Sequence, residues 1–171
     1  MIAIKQPPNL EQLFRETSAD LARYFSRRHG GREVADDLVQ ETFLKMAQSL
    51  ESGKRPEHLR AYLFGIARHV SQAAWRQKSK DSVLEDTVPI QSIAAGDSSD
   101  PRVDAACEMI DLLPALQREI LDLRFNQNLS YAEMAATLDI PIGTVRSRLH
   151  NAISLIRNRL AEDNPDTPQE L

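Results

Sequence analysis

Apolar side chains recur every three or four residues along three long stretches in the first half of the chain. Because this spacing gathers them on one helix face, it predicts helices over residues 9–28, 33–50 and 57–78. Asn9 can cap the first helix, and Gly30 and Gly31 end it. The buried stripe of the middle helix is predicted to consist of Ala35, Leu38, Val39, Thr42, Phe43 and Met46. Its polar outer face consists of Asp37, Gln40, Glu41, Leu44, Lys45 and Gln48. An outward leucine among carboxylates is compatible with a protein-binding face, and a solvated acidic helix is the alternative.

The third helix has two sides of different character. Its apolar stripe is formed by Leu59, Tyr62, Leu63, Ile66, Ala67, Val70 and Ala74. The opposite side carries Phe64, Arg68, Ser71 and Trp75. Aromatic rings interleaved with a cation can stack on unpaired bases, whereas the alternative is that these rings pack on the first two helices. The cations that follow, Arg76, Lys78 and Lys80, suit contact with phosphates.

The helical spacing is lost over residues 80–100, where serine, aspartate and glycine are frequent. This composition predicts a flexible acidic linker. Further helices are expected over residues 101–113 and from Pro114 onward, and the last residues should be disordered. The predicted fold is therefore all-α, with two small helical domains at 9–80 and 102–162, a linker at 81–101 and a tail at 163–171.

The most informative stretch covers residues 129–149. Ser130 and Glu133 form an S-x-x-E capping box, which starts a short helix, and Pro141 separates that helix from the next. In the second helix Val145, Leu149 and Ala152 point inward, which leaves Arg146, Ser147, Arg148, His150 and Asn151 on the outer side. This is the pattern of a helix-turn-helix, whose second helix enters the major groove of DNA. The alternative is an ordinary helical hairpin with a solvated basic face.

Charge is unevenly distributed along the chain. The formal net charge of −4 argues against a free-standing nucleic-acid binder. Residues 54–80 nevertheless contain seven Lys or Arg against a single acid, and residues 142–160 contain no acid. Two basic surfaces on an acidic chain indicate DNA contact at two places with the help of a partner.

Composition excludes several other classes of protein. The single Cys107 rules out an internal disulfide and a cysteine-rich zinc site, and it is expected to be a small buried hydrophobe. We expect no cofactor and no metal. No apolar run reaches the length of a membrane span, and the first residues do not form a signal peptide, so a cytoplasmic protein is expected.

Two pairs of segments resemble a known family. ADDLVQETFLKM at 35–46 and LRAYLFGIARHV at 59–70 resemble the second conserved region of bacterial group 4, or extracytoplasmic-function (ECF), sigma factors. LPALQREILDLRF at 113–125 and the segment at 129–149 resemble their fourth region. The resemblance spans about residues 10–160 in the right order, with a short linker in place of the third region. It implies a protein that binds core RNA polymerase and directs promoter-specific initiation of transcription.

The resemblance also implies roles for individual residues. The core polymerase would be bound by Asp37, Gln40, Glu41 and Leu44. The −10 element, including one flipped base held in a pocket, would be contacted by Phe64, Arg68, His69, Trp75, Arg76, Lys78 and Lys80. The −35 duplex would be contacted by Thr144, Arg146, Ser147, Arg148, His150 and Asn151, with Arg148 on phosphate or bracing the fold. An anti-sigma factor, often membrane-anchored, is the further partner implied, and no small-molecule substrate is implied.

Three positions depart from the family pattern. His69 replaces the usual Asn, and Ala73 replaces a frequent Asp, so the −10 pocket should differ. Asn151 replaces a frequent Arg, which predicts a −35 preference shifted toward adenine. The rival interpretations are a stand-alone helix-turn-helix regulator, a paralogue that binds polymerase but not DNA, and an enzyme. The four histidines show no metal-ligand spacing, which disfavours the enzyme.

Overall fold

The computed structural model describes residues 9–78 and 101–162, with only the backbone described for 101–105. These residues are helical apart from the connecting turns, and the chain divides into two compact units at residues 1–82 and 83–171. The predicted tail, and the predicted linker up to residue 100, lie outside the described residues. No helix among the described residues is long and apolar enough to cross a membrane.

The described part of unit 1, residues 9–78, forms three long helices: α1 (Leu10–His29), α2 (Arg32–Glu51) and α3 (Leu59–Lys78). The predicted cap is confirmed, because the Gln12 backbone N–H donates to the Asn9 side chain at 3.1 Å. Each of the three helices packs against the other two. The three predicted helices are therefore confirmed to within two residues at each end.

The buried stripe of α2 is confirmed in full, because the side chains that face the core are Ala35, Leu38, Val39, Thr42, Phe43 and Met46. The stripe predicted for α3 is only partly correct. Leu63, Ala67 and Val70 are buried, but Tyr62 and Ile66 are half-buried. Phe64 and Ser71 from the predicted outer side are buried instead. Because α3 contacts both α1 and α2, it buries more than one side.

Unit 2 contains α4 (Pro101–Asp111), α5 (Ala115–Leu121), a π-helical turn (Asp122–Asn126), α6 (Tyr131–Leu138) and α7 (Ile142–Glu162). The long α7 forms the centre, with α4, α5 and α6 packed against it. The core includes Ile120, Leu123, Leu129 and Met134, and Cys107 is buried as predicted. The π-helical turn, which the sequence pattern did not predict, continues α5 toward the loop before α6.

Candidate functional site

The helix-turn-helix of unit 2 is formed as predicted. The Ser130 side chain accepts from the Glu133 backbone N–H at 3.2 Å, and the Glu133 carboxylate accepts from the Ser130 N–H at 2.8 Å. This reciprocal capping starts α6. Asp139 ends it in the left-handed conformation, with φ 54° and ψ 47°. The backbone therefore turns within three residues, and α7 begins at Ile142.

The outer face of α7 is open to solvent. Val145, Leu149 and Ala152 are buried as predicted. The predicted DNA-contacting side chains, Arg146, Ser147, Arg148, His150 and Asn151, are all exposed, and Thr144 is half-buried. The Ser147 hydroxyl donates to the Thr144 carbonyl at 3.1 Å. The face is therefore available for contact along nearly two turns of the helix.

Arg146 is held by a residue that the sequence did not single out. Its guanidinium carbon lies 5.4 Å from the centroid of the Tyr131 ring at the start of α6. The guanidinium carbon of Arg124, from the π-helical turn, lies 5.2 Å from the same centroid. Arg124 also donates to the Leu129 carbonyl at 3.0 Å. Tyr131 therefore links Arg146 to the turn that precedes the helix-turn-helix.

The outer face of α2 carries the residues predicted to bind polymerase. Asp37, Gln40 and Glu41 are exposed, and 59% of Leu44 is exposed. The Lys45 ammonium lies 3.4 Å from the Glu41 carboxylate, in an exposed pair. The four residues lie on one side of α2, opposite its buried stripe, because their spacing of three and four residues matches the helical repeat.

The prediction that Phe64 contacts DNA is wrong. Its side chain is 0% exposed, and its ring packs edge-on against Tyr24 of α1 at a centroid distance of 5.7 Å. Arg60 covers the Phe64 ring on its solvent side, and the guanidinium carbon lies 5.3 Å from the ring centroid. The same guanidinium forms a 2.8 Å ion pair with Asp20 of α1. Phe64 therefore belongs to the contact between α1 and α3, and no base can reach it without unfolding the unit.

The other predicted residues of α3 lie at the surface to different degrees. His69, Arg76 and Lys78 are exposed, Arg68 is half-buried, and Lys80 lies outside the described residues. Trp75 is half-buried, with its ring edge-on to that of His29 at a centroid distance of 6.0 Å. Trp75 thus keeps part of its ring available, unlike Phe64.

His29 is buried at the end of α1. Its Nε2 forms a 2.8 Å hydrogen bond with the Ser71 hydroxyl of α3, which explains why Ser71 faces inward. Burial lowers the pKa of His29 to about 4, with further contributions from the positive charges of Lys78 and Arg28. The imidazole is therefore neutral at physiological pH and serves to join the two helices.

An open pocket of about 420 Å³ lies between α2, α3 and the loop that joins them; we call it the α2–α3 pocket. Its polar wall consists of Lys45, Ser49, Lys54, Tyr62 and His69, and its apolar wall consists of Ile66, Val70 and Ala73. The Ser49 and Tyr62 hydroxyls are 2.6 Å apart and hydrogen-bonded, which ties the tyrosine to α2. Among the residues that line this pocket, His69 is the one that the sequence predicts as a site residue.

Unit 2 has an apolar groove on the side of α7 that faces α4 and the π-helical turn. The groove has a volume of about 370 Å³ and is lined by Ile110, Leu121, Phe125 and Ile156, among others. Phe125 is 61% exposed, because the π-helical turn directs it outward. Arg157 adds a positive charge to the lining. Exposed apolar surface of this kind is typical of protein-binding sites.

Comparison with known families matches both units. Residues 13–81 match the Sigma-70 region 2 model, and residues 106–156 match the model of Sigma-70, region 4. These two ranges contain every residue predicted above to bind polymerase or DNA.

Full-length relatives and a solved structure agree with the family models. The chain is 32% identical to the ECF RNA polymerase sigma factor SigL of Mycobacterium tuberculosis over 160 residues, which cover 90% of this chain and 89% of SigL. It is 28% identical to ECF RNA polymerase sigma factor SigE of Mycolicibacterium smegmatis, covering 95% of this chain and 65% of that protein. The sigma factor RpoE of Bartonella quintana, solved in complex with the anti-sigma factor NepR, superposes with a TM-score of 0.61 at 26% identity, covering 92% of this chain and 98% of RpoE.

Proposed function

Because the chain belongs to the family of ECF RNA polymerase sigma factors, we propose that it docks on core polymerase through α2, reads the −35 duplex with α7 and opens the −10 element with α3. The observation that carries the proposal is that one chain exposes an acidic α2 face in addition to two separate basic surfaces. In this proposal the polymerase catalyses RNA synthesis, and the chain itself is not an enzyme. We place its work in the cytoplasm, with the polymerase.

The α2 face suits a protein partner. An exposed leucine between carboxylates provides an apolar anchor with a polar rim, which is the usual composition of an interface. Asp37 and Glu41 further require a basic surface on the partner. Docking in this way raises the effective concentration of both DNA-binding surfaces at the promoter, so each can bind weakly by itself. This also reconciles DNA binding with the net charge of −4.

The exposed face of α7 suits the major groove. An arginine pairs with the O6 and N7 atoms of guanine, and an asparagine pairs with adenine. We therefore assign base reading to Arg146 and Asn151, together with Ser147 and His150. Arg148 is exposed on the same helix and is assigned to phosphate, with half-buried Thr144 at the edge of the contact.

The α2–α3 pocket suits a single base that has left the stack. Tyr62 offers a ring for stacking, which contributes about 1–3 kcal/mol per base in proteins that bind single strands. Trp75, Arg68, Arg76 and Lys78 lie on the same helix, where the cations can follow the phosphates of the non-template strand. Because Phe64 is buried in the core, we assign the stacking of bases to Tyr62 and to the exposed part of the Trp75 ring instead.

The apolar groove of unit 2 is the surface that we assign to protein partners of that unit, including an anti-sigma factor. The support is the exposed Phe125 and the structural likeness to RpoE, which was solved with its anti-sigma factor bound. An anti-sigma factor that covers this groove would compete with docking of unit 2 on polymerase.

Docking through α2 is tested by the double variant Asp37→Arg and Glu41→Arg, with affinity for core polymerase as the readout. Reversing two charges at the centre of the face should weaken binding at least 100-fold, or about 3 kcal/mol, because like charges would then oppose each other. Glu11→Arg with Glu16→Arg makes the same change in charge on the exposed side of α1 and is the matched control. Equal affinity of both double variants would refute the assignment.

A further inference from the structure

The wall of the α2–α3 pocket carries more hydrogen-bond donors than acceptors. Lys45 and Lys54 supply two ammonium groups, and no carboxylate is among the described side chains that line the pocket. The charge of the Lys45 ammonium is partly neutralised by its ion pair with the Glu41 carboxylate. Lys54 is therefore the principal cation of the pocket. The Lys54 nitrogen lies 6.0 Å from the centroid of the Tyr62 ring, so it stands beside the surface on which a base would stack.

The loop that carries Lys54 is fixed in place. Gly53 has φ +93°, a conformation that side-chain-bearing residues rarely adopt, and the Lys54 backbone N–H donates to the Ser49 carbonyl at 3.2 Å. Arg55 donates to the Leu50 and Lys54 carbonyls, each at 2.9 Å. The backbone beneath Lys54 is thus set by local hydrogen bonds at the end of α2, independently of any ligand.

The remaining polar groups do not compensate for the missing acid. The Ser49 and Tyr62 hydroxyls are bonded to each other, and their pair retains one hydrogen to donate together with lone pairs that can accept, so it favours neither kind of partner. The His69 ring can donate or accept, so it favours neither kind of partner. The position of Ala73, on the apolar wall, offers no hydrogen bond at all. The pocket as a whole therefore presents positive charge and donors to its ligand.

We propose that the α2–α3 pocket selects guanine or thymine, which carry a carbonyl oxygen at O6 or O4, over adenine and cytosine, which carry an amino group at that position; this rests on the proposed opening of the −10 element. Guanine presents O6 and N7, and thymine presents O4, all of which accept from an ammonium group. Adenine and cytosine present amino groups in place of O6 and O4, and these require an acceptor; N7 is common to both purines and does not distinguish them. Burying such an amino group against Lys54 leaves two donors facing each other.

The test uses holoenzyme, formed from core polymerase and the full chain, on forked promoter DNA with a single-stranded −10 region. Each position of the non-template strand carries each of the four bases in turn, and the equilibrium affinity is measured. At one position, guanine or thymine should bind roughly tenfold more tightly than adenine and cytosine, the size of one good base contact. Where guanine is preferred, hypoxanthine should replace it without loss, because it retains O6 and N7, and 2-aminopurine should not.

Two variants assign the preference to the pocket. Lys54→Gln replaces the cation with a group that both donates and accepts, and it should reduce the preference to less than threefold. Ala73→Asp adds an acceptor to the pocket lining and should shift the preference toward cytosine or adenine. Gln77→Asp makes the same change in charge at an exposed position of α3 outside the pocket lining, and its preference should equal that of the wild type.

The outcomes separate this inference from the function on which it rests. If holoenzyme binds and opens promoters but prefers adenine or cytosine, or discriminates at no position, the selectivity is refuted and the sigma function stands. The inference is also overturned if Ala73→Asp and Gln77→Asp change the preference equally, because net charge would then be the cause. If holoenzyme neither binds the fork nor opens promoters, the proposed role of α3 fails and the inference fails with it.

Discussion

The two surfaces that we propose to bind DNA are built in different ways. The outer face of α7 comes from nearly two consecutive turns of one helix, and its side chains project outward from a buried stripe. The α2–α3 pocket takes its wall from two helices and the loop between them, which meet only after unit 1 has folded. A convex helix fits the groove of intact duplex, whereas a concave pocket fits one base removed from the stack. The architecture of each surface thus matches the state of the DNA assigned to it.

This difference also predicts how each surface responds to mutation. Substitutions on the face of α7 should change specificity at little cost in stability, because the side chains there are exposed. Substitutions near the pocket act on a unit in which each helix packs against the other two, so specificity and stability are harder to separate there. The following predictions test this contrast.

The largest effect is expected for Phe64→Ala. Truncating a fully buried phenylalanine costs about 3–5 kcal/mol, so unit 1 should lose most of its stability. Hydrogen exchange should show faster exchange throughout α1, α2 and α3, with the amides of unit 2 unchanged. Phe14→Ala, at a phenylalanine of the same unit that is 46% exposed, is the control and should cost much less. If Phe64→Ala instead had normal stability but bound the −10 strand weakly, Phe64 would have to be assigned to the DNA interface.

The next effect concerns pH and also belongs to unit 1 alone. His29 has a pKa of about 4 in the folded state and an ordinary value of 6.5. As the pH falls from 6.5 to 4, the unfolded chain takes up a proton that the folded unit does not, which favours unfolding. The free energy of unfolding should therefore fall by roughly 3 kcal/mol across this range and change no further below it on account of His29.

The contribution of His29 is isolated by comparison with His29→Gln, measured by denaturant unfolding at each pH. The stability difference between wild type and variant should shrink as the pH falls from 6.5 to 4. His58→Gln removes an exposed histidine of the same unit and serves as the control. A difference between wild type and His29→Gln that stays constant with pH would show that the histidine gains its proton equally in both states.

On the α7 face, Arg146→Ala should weaken recognition of one −35 position by about 1–3 kcal/mol, because a bidentate contact to one base is lost. Transcription by holoenzyme from a set of single-base −35 variants measures this directly. Arg159→Ala, at an exposed arginine nearer the end of the same helix, should leave the base preferences unchanged. An equal loss on every −35 variant would make Arg146 a phosphate contact.

The smallest effect is expected at Tyr131. A cation–π contact at an exposed site contributes about 0.5–1 kcal/mol, so Tyr131→Ala should reduce the preference of Arg146 for its base two- to fivefold. Tyr131→Phe keeps the ring and should retain the preference. If the two variants lose it equally, the hydroxyl group is responsible, and stacking does not position Arg146.

Features set by a single segment could be predicted from the sequence. The capping box at Ser130, the break at Pro141 and the stripe of α2 each depend on residues within a few positions of one another, and all three are observed. The face of α7 follows directly, because the buried stripe of Val145, Leu149 and Ala152 leaves the opposite side of the helix exposed.

Features that depend on contacts between segments could not be predicted in the same way. Periodicity identifies one buried stripe and therefore predicts an outer position for Phe64 and Ser71, whereas α3 is covered by two neighbouring helices. Tyr62 lies within the apolar stripe, and nothing in its spacing shows that its hydroxyl bonds to Ser49 of α2 beside a pocket. The contact of Tyr131 with Arg146 likewise joins two helices across a turn.

The central claim is tested most directly by transcription from a randomised promoter library, using purified core polymerase with and without this chain. The account predicts start sites that occur only when the chain is present and that share two motifs at a fixed separation. The upstream motif should depend on Arg146, and the downstream motif should change with Ala73→Asp. The account is contradicted if no start site depends on the chain, or if the chain binds duplex DNA tightly without core polymerase, as a stand-alone regulator would.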